Sequence, residues 1–434
     1  MQHKDRKVTI CYALVLSCLL IIGLNPAAAR QELSPPFAGE TIRLLLVGDP
    51  FTMAMIEAQS ELEARSGARM EIEVAGYNNV RRLALLNARD LTSQYDIISF
   101  DVIWIGEFAV HNVLLPLDPF IAQSPALDVD DFLRPAYEAS AYEGQQLGLP
   151  VQPHPELLWY RADLFEAAGS DPPRTTAALL AVAEQFTDPA RNQYGICWNA
   201  QRGEALSQTM SHLYAAFGQP LLDADGRPTL DTPAGVAAAE YALHLLAWSP
   251  PDILTMAWDQ RVLRFSQGGC VMTYGWAARS FLVEELPTSQ VRGSVGYAAA
   301  PHAPGADPVT PLGTWSLGIP ANIGDRAALA WDFLAWLTSA DIQVLLAESG
   351  NSGPTRYSLL QNDALTERYA TFPLIARLDN VSQLQDWMRP TIPQSAQLAE
   401  IMGTVFHDML RGEYSPQEAT ALAQQEAEAL LNNR

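Results

Sequence analysis

YEGQQLGLPVQPHPELLWYRADLFEAAG, residues 142–169, decides how the rest of the chain is read. Gly144 permits a tight turn, and after it Leu147, Leu149 and Val151 alternate as side chains on a strand do. Pro150, Pro153 and Pro155 withhold backbone donors, so a continuous ladder is expected to break there. Residues 157–160 form a second short apolar strand. Asp163, Leu164 and Phe165 then open a helix that Gly169 stops. A proline-broken strand pair followed by a helix suits a chain crossing from one lobe to another, although an ordinary hairpin carries the same signature.

On the N-terminal side, residues 41–47 are a near-continuous apolar strand, as in a sheet covered on both faces. A helix follows, with Met53, Ile56 and Leu62 on its apolar side. Residues 70–75 alternate as a second strand, 80–91 are helical, and 96–100 form a third strand. This rhythm predicts an α/β lobe with parallel strands. Ligands in such sheets sit beyond the carboxyl ends of strands. Those ends carry Asp49, Tyr77 with Asn78 and Asn79, and Asp101. Asp101 is placed equally well to cap a helix starting at Val102. Trp104 reads as packing and Glu107 as surface.

On the C-terminal side, residues 175–186 are a helix behind a Pro-Pro entry. Residues 194–199 are a strand that presents Asn199, with Arg202 and Glu204 as weaker candidates on the next helix. Another strand ends at Thr273, with Tyr274 and Trp276 flanking a glycine. Aromatic faces hold the apolar face of a sugar ring, which makes both candidates. Gln152 and His154 lie in the crossing and offer groups that both donate and accept. Asp325 is expected to cap a buried helix reaching Leu337. Helices over 396–411 and 416–431 close the chain.

Composition limits the function. A net charge of −22 over 434 residues argues against nucleic acid and against steering of anions. The length favours two lobes over one core. Residues 1–29 read as a signal peptide. Lys4, Arg6 and Lys7 precede an apolar run, and Ala27, Ala28 and Ala29 offer a cleavage site. A membrane anchor is the alternative; the expectation is a periplasmic protein. Cys197 and Cys270 would remain after cleavage, as a disulfide or as two buried thiols. Two cysteines without CxxC or paired histidines make no metal site, and no cofactor is expected.

The opening stretch, continued through Pro172 to Thr175, resembles the "YDGKLYGLP…YYNKDLFEKAG…PPKTW" signature of the sugar-type extracellular solute-binding proteins of ABC importers, the maltose- and trehalose-binding family. Residues 95–104 resemble its "YDVV…D…W" segment, 265–276 its "F..GKAAM…W", 313–319 its "GGW.LGI" and 350–356 its "G..P.R". The resemblance implies a two-lobed α/β fold of the type II, maltose-binding-protein-like kind, with three hinge crossings. It implies a first lobe of residues 37–150 and 301–350 and a second of 151–300 and 351–434. The function implied is capture of a neutral saccharide, a di- or small oligosaccharide, by a monomer that passes it to a membrane permease. The ligand set implied is Asp49, Asn78, Asp101, Gln152, His154, Asn199, Tyr274, Trp276, Gly313, Trp315, Arg356 and Arg389. A polyol, a polyamine or a sugar or glycerol phosphate is the alternative ligand. A glycoside hydrolase is the remote alternative, because no carboxylate pair lies in a recognisable catalytic motif.

Overall fold

A computed structural model describes residues 35–432, so the signal-peptide reading of 1–29 lies outside the described residues. The strands are β1 (Thr41–Val47), β2 (Arg69–Ala75), β3 (Ile97–Asp101), the small hairpin β4 (Ala141–Tyr142) and β5 (Gln145–Gln146), β6 (Leu149–Arg161), β7 (Tyr194–Cys197), β8 (Cys270–Trp276), β9 (Val295–Ala298), β10 (Thr310–Gly318) and β11 (Leu384–Gln385). One sheet runs β2-β1-β3-β10-β6-β8-β7, with β11 on β10 and β9 on β6. β1 pairs in parallel with both β2 and β3, the arrangement expected of helices connecting consecutive strands.

Two hydrophobic cores lie along this sheet. The first gathers β1, β3, the start of β6, and the helices Ala327–Leu337 and Ala340–Glu348. The second gathers the end of β6, β7, β8 and the helices Glu204–Ala216, Pro233–Ala247 and Ser395–Leu410. β6 and β10 run through both, so the chain passes between cores inside the sheet. The fold is the mixed α/β, two-lobed fold expected.

Several local expectations need correction. β6 is one strand of 13 residues, not two. It is paired with β10 through Pro150, Pro153 and Pro155. After β1 there are two helices, Pro50–Glu57 and Gln59–Ser66, broken at Ala58. The first buries Phe51, Ala54 and Met55, while Met53 and Ile56 are 55% and 42% exposed. β8 continues past Thr273 to Trp276. Asp325 lies in a short 3-10 turn, and Arg326 precedes the helix Ala327–Leu337. Glu107 is not a free surface group but forms a two-pronged ion pair with Arg81. Cys197 and Cys270 form a disulfide between the adjacent strands β7 and β8.

Candidate functional site

Strand ends supply the first wall of a cavity of about 190 Å3 between the two cores. Asp49 follows β1, Tyr77 opens the helix Tyr77–Asn87, and Asp101 closes β3. Asp101 does cap the turn that follows, accepting from the Ile103 N–H at 3.4 Å. It also accepts from the Tyr77 hydroxyl at 2.8 Å. Trp315, on β10, donates its indole N–H to Asp49 at 2.8 Å.

Elements of the second core supply the opposite wall: Glu204 and Gln208 on one helix, Trp258 and Asp259 on another, then Trp276, Arg279 and Arg389. Two ion pairs cross the cavity. Arg279 reaches Asp49 at 3.1 Å, and also Asp259 at 2.5 Å. Arg389 donates to both carboxylate oxygens of Asp101, at 2.9 and 3.2 Å. The Tyr77 and Trp258 rings meet with centroids 5.6 Å apart.

The floor is β6. Residues two apart on a strand share a face, so Gln152 and His154 both line the cavity. The Gln152 side-chain oxygen accepts from the Phe51 N–H at 2.6 Å, which leaves its amide N–H groups for a guest. The His154 Nδ1 lies 2.7 Å from the Gln152 carbonyl. A carbonyl only accepts, so Nδ1 carries the hydrogen and Nε2 keeps a lone pair. Burial lowers the His154 pKa, against opposing pulls from Asp49 and Asp101, so the ring is neutral near pH 7. Its edge meets Trp276 with centroids 4.6 Å apart.

Glu156, next on that face, lies behind the wall. Its carboxylate meets Arg261 at 2.7 Å, His212, and the Gln208 amide N–H at 3.0 Å. Gln208 in turn accepts from the Trp258 indole. A buried anion on the crossing strand thus orients an aromatic wall of the cavity.

Of the expected site residues, Asp49, Asp101, Gln152, His154, Trp276, Trp315 and Arg389 are brought together here. Five lie elsewhere. Asn78 is exposed one residue beyond Tyr77. Asn199 is buried, with neither side-chain amide atom bonded among the described residues. The Tyr274 hydroxyl lies 3.4 Å from that of Tyr241, beside a separate small pocket. Arg356 is committed to the Thr338, Asp128 and Leu127 carbonyls and to Asp131. Gly313 faces His154 Nε2, which a side chain there would meet at 2.5 Å. Sequence reasoning ranked Glu204 low and missed Gln208, Trp258 and Arg279. The signals available were a tryptophan opening a helix and an arginine just after the aromatic end of β8. Among the described residues no group of three or more His, Cys, Asp or Glu could hold a metal ion.

Comparison with known proteins adds to this geometry. Residues 48–344 match the family model described as bacterial extracellular solute-binding protein. The chain is 25% identical over 353 residues to a probable amino-acid ABC transporter periplasmic-binding protein of Sinorhizobium fredii, covering 80% of each. It is 26% identical over 345 residues to a mannitol-binding protein of Pseudomonas aeruginosa, covering 75% of this chain and 79% of that one. An ABC transporter solute-binding protein of Agrobacterium radiobacter, solved in complex with ribitol, superposes with a TM-score of 0.85. It is 29% identical, covering 91% of this chain and 100% of that chain.

Proposed function

This chain belongs to the bacterial extracellular solute-binding protein family, and from that premise we propose that it captures one monosaccharide or linear polyol in the cavity between its cores. The observation that carries this reading is the enclosure itself: Trp276, Trp315, Trp258 and Tyr77 surround Asp49, Asp101, Gln152 and His154 within about 190 Å3. Carboxylates accept from hydroxyls, the Gln152 amide donates to them, and aromatic faces pack on the C–H faces between. That volume lies below the roughly 300–1,000 Å3 of clefts that hold drug-sized ligands. It favours a single ring or chain over the di- or small oligosaccharide expected from the sequence. The mannitol-binding relative and the ribitol complex support the polyol form of the reading.

Family membership supports the remaining parts of the proposal. The protein acts as an exported, periplasmic monomer without catalysis, and hands its solute to the membrane permease of an ABC importer. Its lobes are residues 37–150 with 301–350, and 151–300 with 351–434, hinged where β6 and β10 pass between the cores.

Thermal unfolding against ribitol, mannitol, sorbitol, glucose and maltose tests the reading. A solute that binds only the folded state adds about 2.7 kcal/mol of stability at a hundredfold excess over its Kd. One polyol or monosaccharide should raise the midpoint, and the shift should vanish in Asp101→Ala and Trp276→Ala variants that still fold. A shift with maltose alone would overturn the small-solute reading, and none with any of the five would overturn the polyhydroxylated class.

A further inference from the structure

The hydrogen-bonding groups of the cavity are unevenly spent. On the donor side, all three guanidinium nitrogens of Arg279 are taken by Asp49 and Asp259. The Trp315 indole is taken by Asp49, the Trp258 indole by Gln208 and the Tyr77 hydroxyl by Asp101. Among the described residues the Gln152 amide nitrogen, the Trp276 indole N–H, part of Arg389 and the second hydrogens of the Arg279 terminal nitrogens remain for a guest. On the acceptor side, His154 Nε2 is a free lone pair, and one oxygen of Glu204 is buried with no partner among the described residues. Charge is uneven in the same sense. Among the lining residues four carboxylates, Asp49, Asp101, Glu204 and Asp259, stand against two guanidinium groups, Arg279 and Arg389, and the whole chain carries −22.

A hydroxyl can donate to these acceptors but carries no charge, so a simple polyol does not answer the excess of carboxylates. An ammonium has three donors, no acceptor and one positive charge. The aromatic rings of Trp258, in the same wall as Glu204, and of Tyr77 across from it favour a cation as well. We propose that the solute is an amino polyol or amino sugar whose ammonium is received by the Glu204 carboxylate. This rests on the reading of the cavity as a site for one polyhydroxylated molecule and names the substituent that molecule carries.

The proton on Glu204 supplies an independent signature. Burial pushes its carboxyl up to about 7, with Asp101 adding to the rise and the Tyr77 hydroxyl, Arg389 and Arg81 opposing it. These are the groups that face it. Near neutral pH the empty site therefore holds Glu204 partly protonated. An arriving ammonium favours the ionised form, so its binding should release protons.

Isothermal titration of the whole protein at pH 7 with D-glucamine and with sorbitol separates the cases, since the two differ by an amine in place of one hydroxyl. D-glucamine should bind about tenfold tighter or better, the usual gain of a charge-assisted bond over a neutral one. Its heat should also change between buffers of different ionisation enthalpy, as proton release requires. In Glu204→Gln the preference should collapse toward parity and the buffer dependence should disappear. Sorbitol binding as tightly as D-glucamine in the unaltered protein would overturn the ammonium site while leaving the polyol reading intact. Binding of neither, in a panel where no other sugar or polyol binds, would overturn both.

Discussion

Glu156 shows what one side chain does in this protein. It is 3% exposed on the crossing strand, and its partners come from two helices: His212 and Gln208 from one, Arg261 from the other. Burial alone would raise its pKa, and contact with His212 and Arg261 reverses that, holding the carboxyl down at about 2 against an ordinary 4.5. A depressed carboxyl pKa stabilises the fold above the unfolded value, and that stability is lost as pH falls through the folded one. Its contribution should therefore be complete above about pH 4.5 and fade toward pH 2. Glu156→Gln leaves the Arg261 guanidinium, itself 1% exposed, without its counter-ion. Removing one member of a buried pair typically costs about 3–5 kcal/mol. Urea unfolding at pH 7 should show a loss of that order, and the gap between variant and parent should narrow in acid. An unchanged midpoint at pH 7 would mean that water or the Asp259 carboxylate compensates the guanidinium. Nothing around Glu156 signals this anion in the sequence: a lone glutamate between Pro155 and Leu157 has no local partner, because its partners arrive from residues 208, 212 and 261.

At the scale of elements, the pairing of β6 with β10 explains both a failure and a success of sequence reasoning. Three prolines in six residues argue against a continuous strand. Pro153 and Pro155 share one parity along β6, and Pro150 has the other. The pairing with β10 shifts register between Trp315 and Ser316, opposite that change. A bulge there lets each proline point its missing N–H away from the ladder. The extra residue is Val151 of β6 itself, but the strand that reveals the shift lies about 160 residues downstream and cannot be read from the stretch alone. What was legible was the alternation that puts Gln152 and His154 on one face, since period 2 survives the prolines. Gly313 pairs with His154 across these strands. A Cβ there would lie 2.5 Å from His154 Nε2 and 3.2 Å from the Trp276 ring. Gly313→Ala should push the imidazole off its station, costing about 1–3 kcal/mol as overpacking does, and should weaken solute binding by more than it weakens the fold. Titration calorimetry beside thermal unfolding checks this. Unchanged affinity would show that the ring yields without leaving the site.

For the whole molecule, the order of elements was readable because each motif is local: a strand and its following helix, or an aromatic pair at a strand end. The closed cleft was only half readable, because half its contacts join distant segments. Asp49 and Arg279 are separated by 230 positions, and Asp101 and Arg389 by 288. Asp49, Asp101 and Arg389 read singly as ligand candidates and Arg279 not at all, and nothing local shows that they pair. Arg279 is 15% exposed at its side chain and Asp49 11%, so the pair is desolvated enough to matter beyond a surface bridge. With the lobes hinged as proposed, these ties should favour closure, since a contact made only when the lobes are closed shifts the population toward closure. Arg279→Ala removes the Asp49 and Asp259 contacts at once but leaves Asp101 with Arg389. Without solute, small-angle scattering should then give a larger radius of gyration for the variant than for the parent, and saturating solute should bring the two together. The variant's affinity should fall as its closed fraction falls, because the competent state is rarer. Equal radii without solute would mean that the arginine rests in the cleft without holding it, and that the hinge is set by the Asp101–Arg389 pair or by packing along β6 and β10.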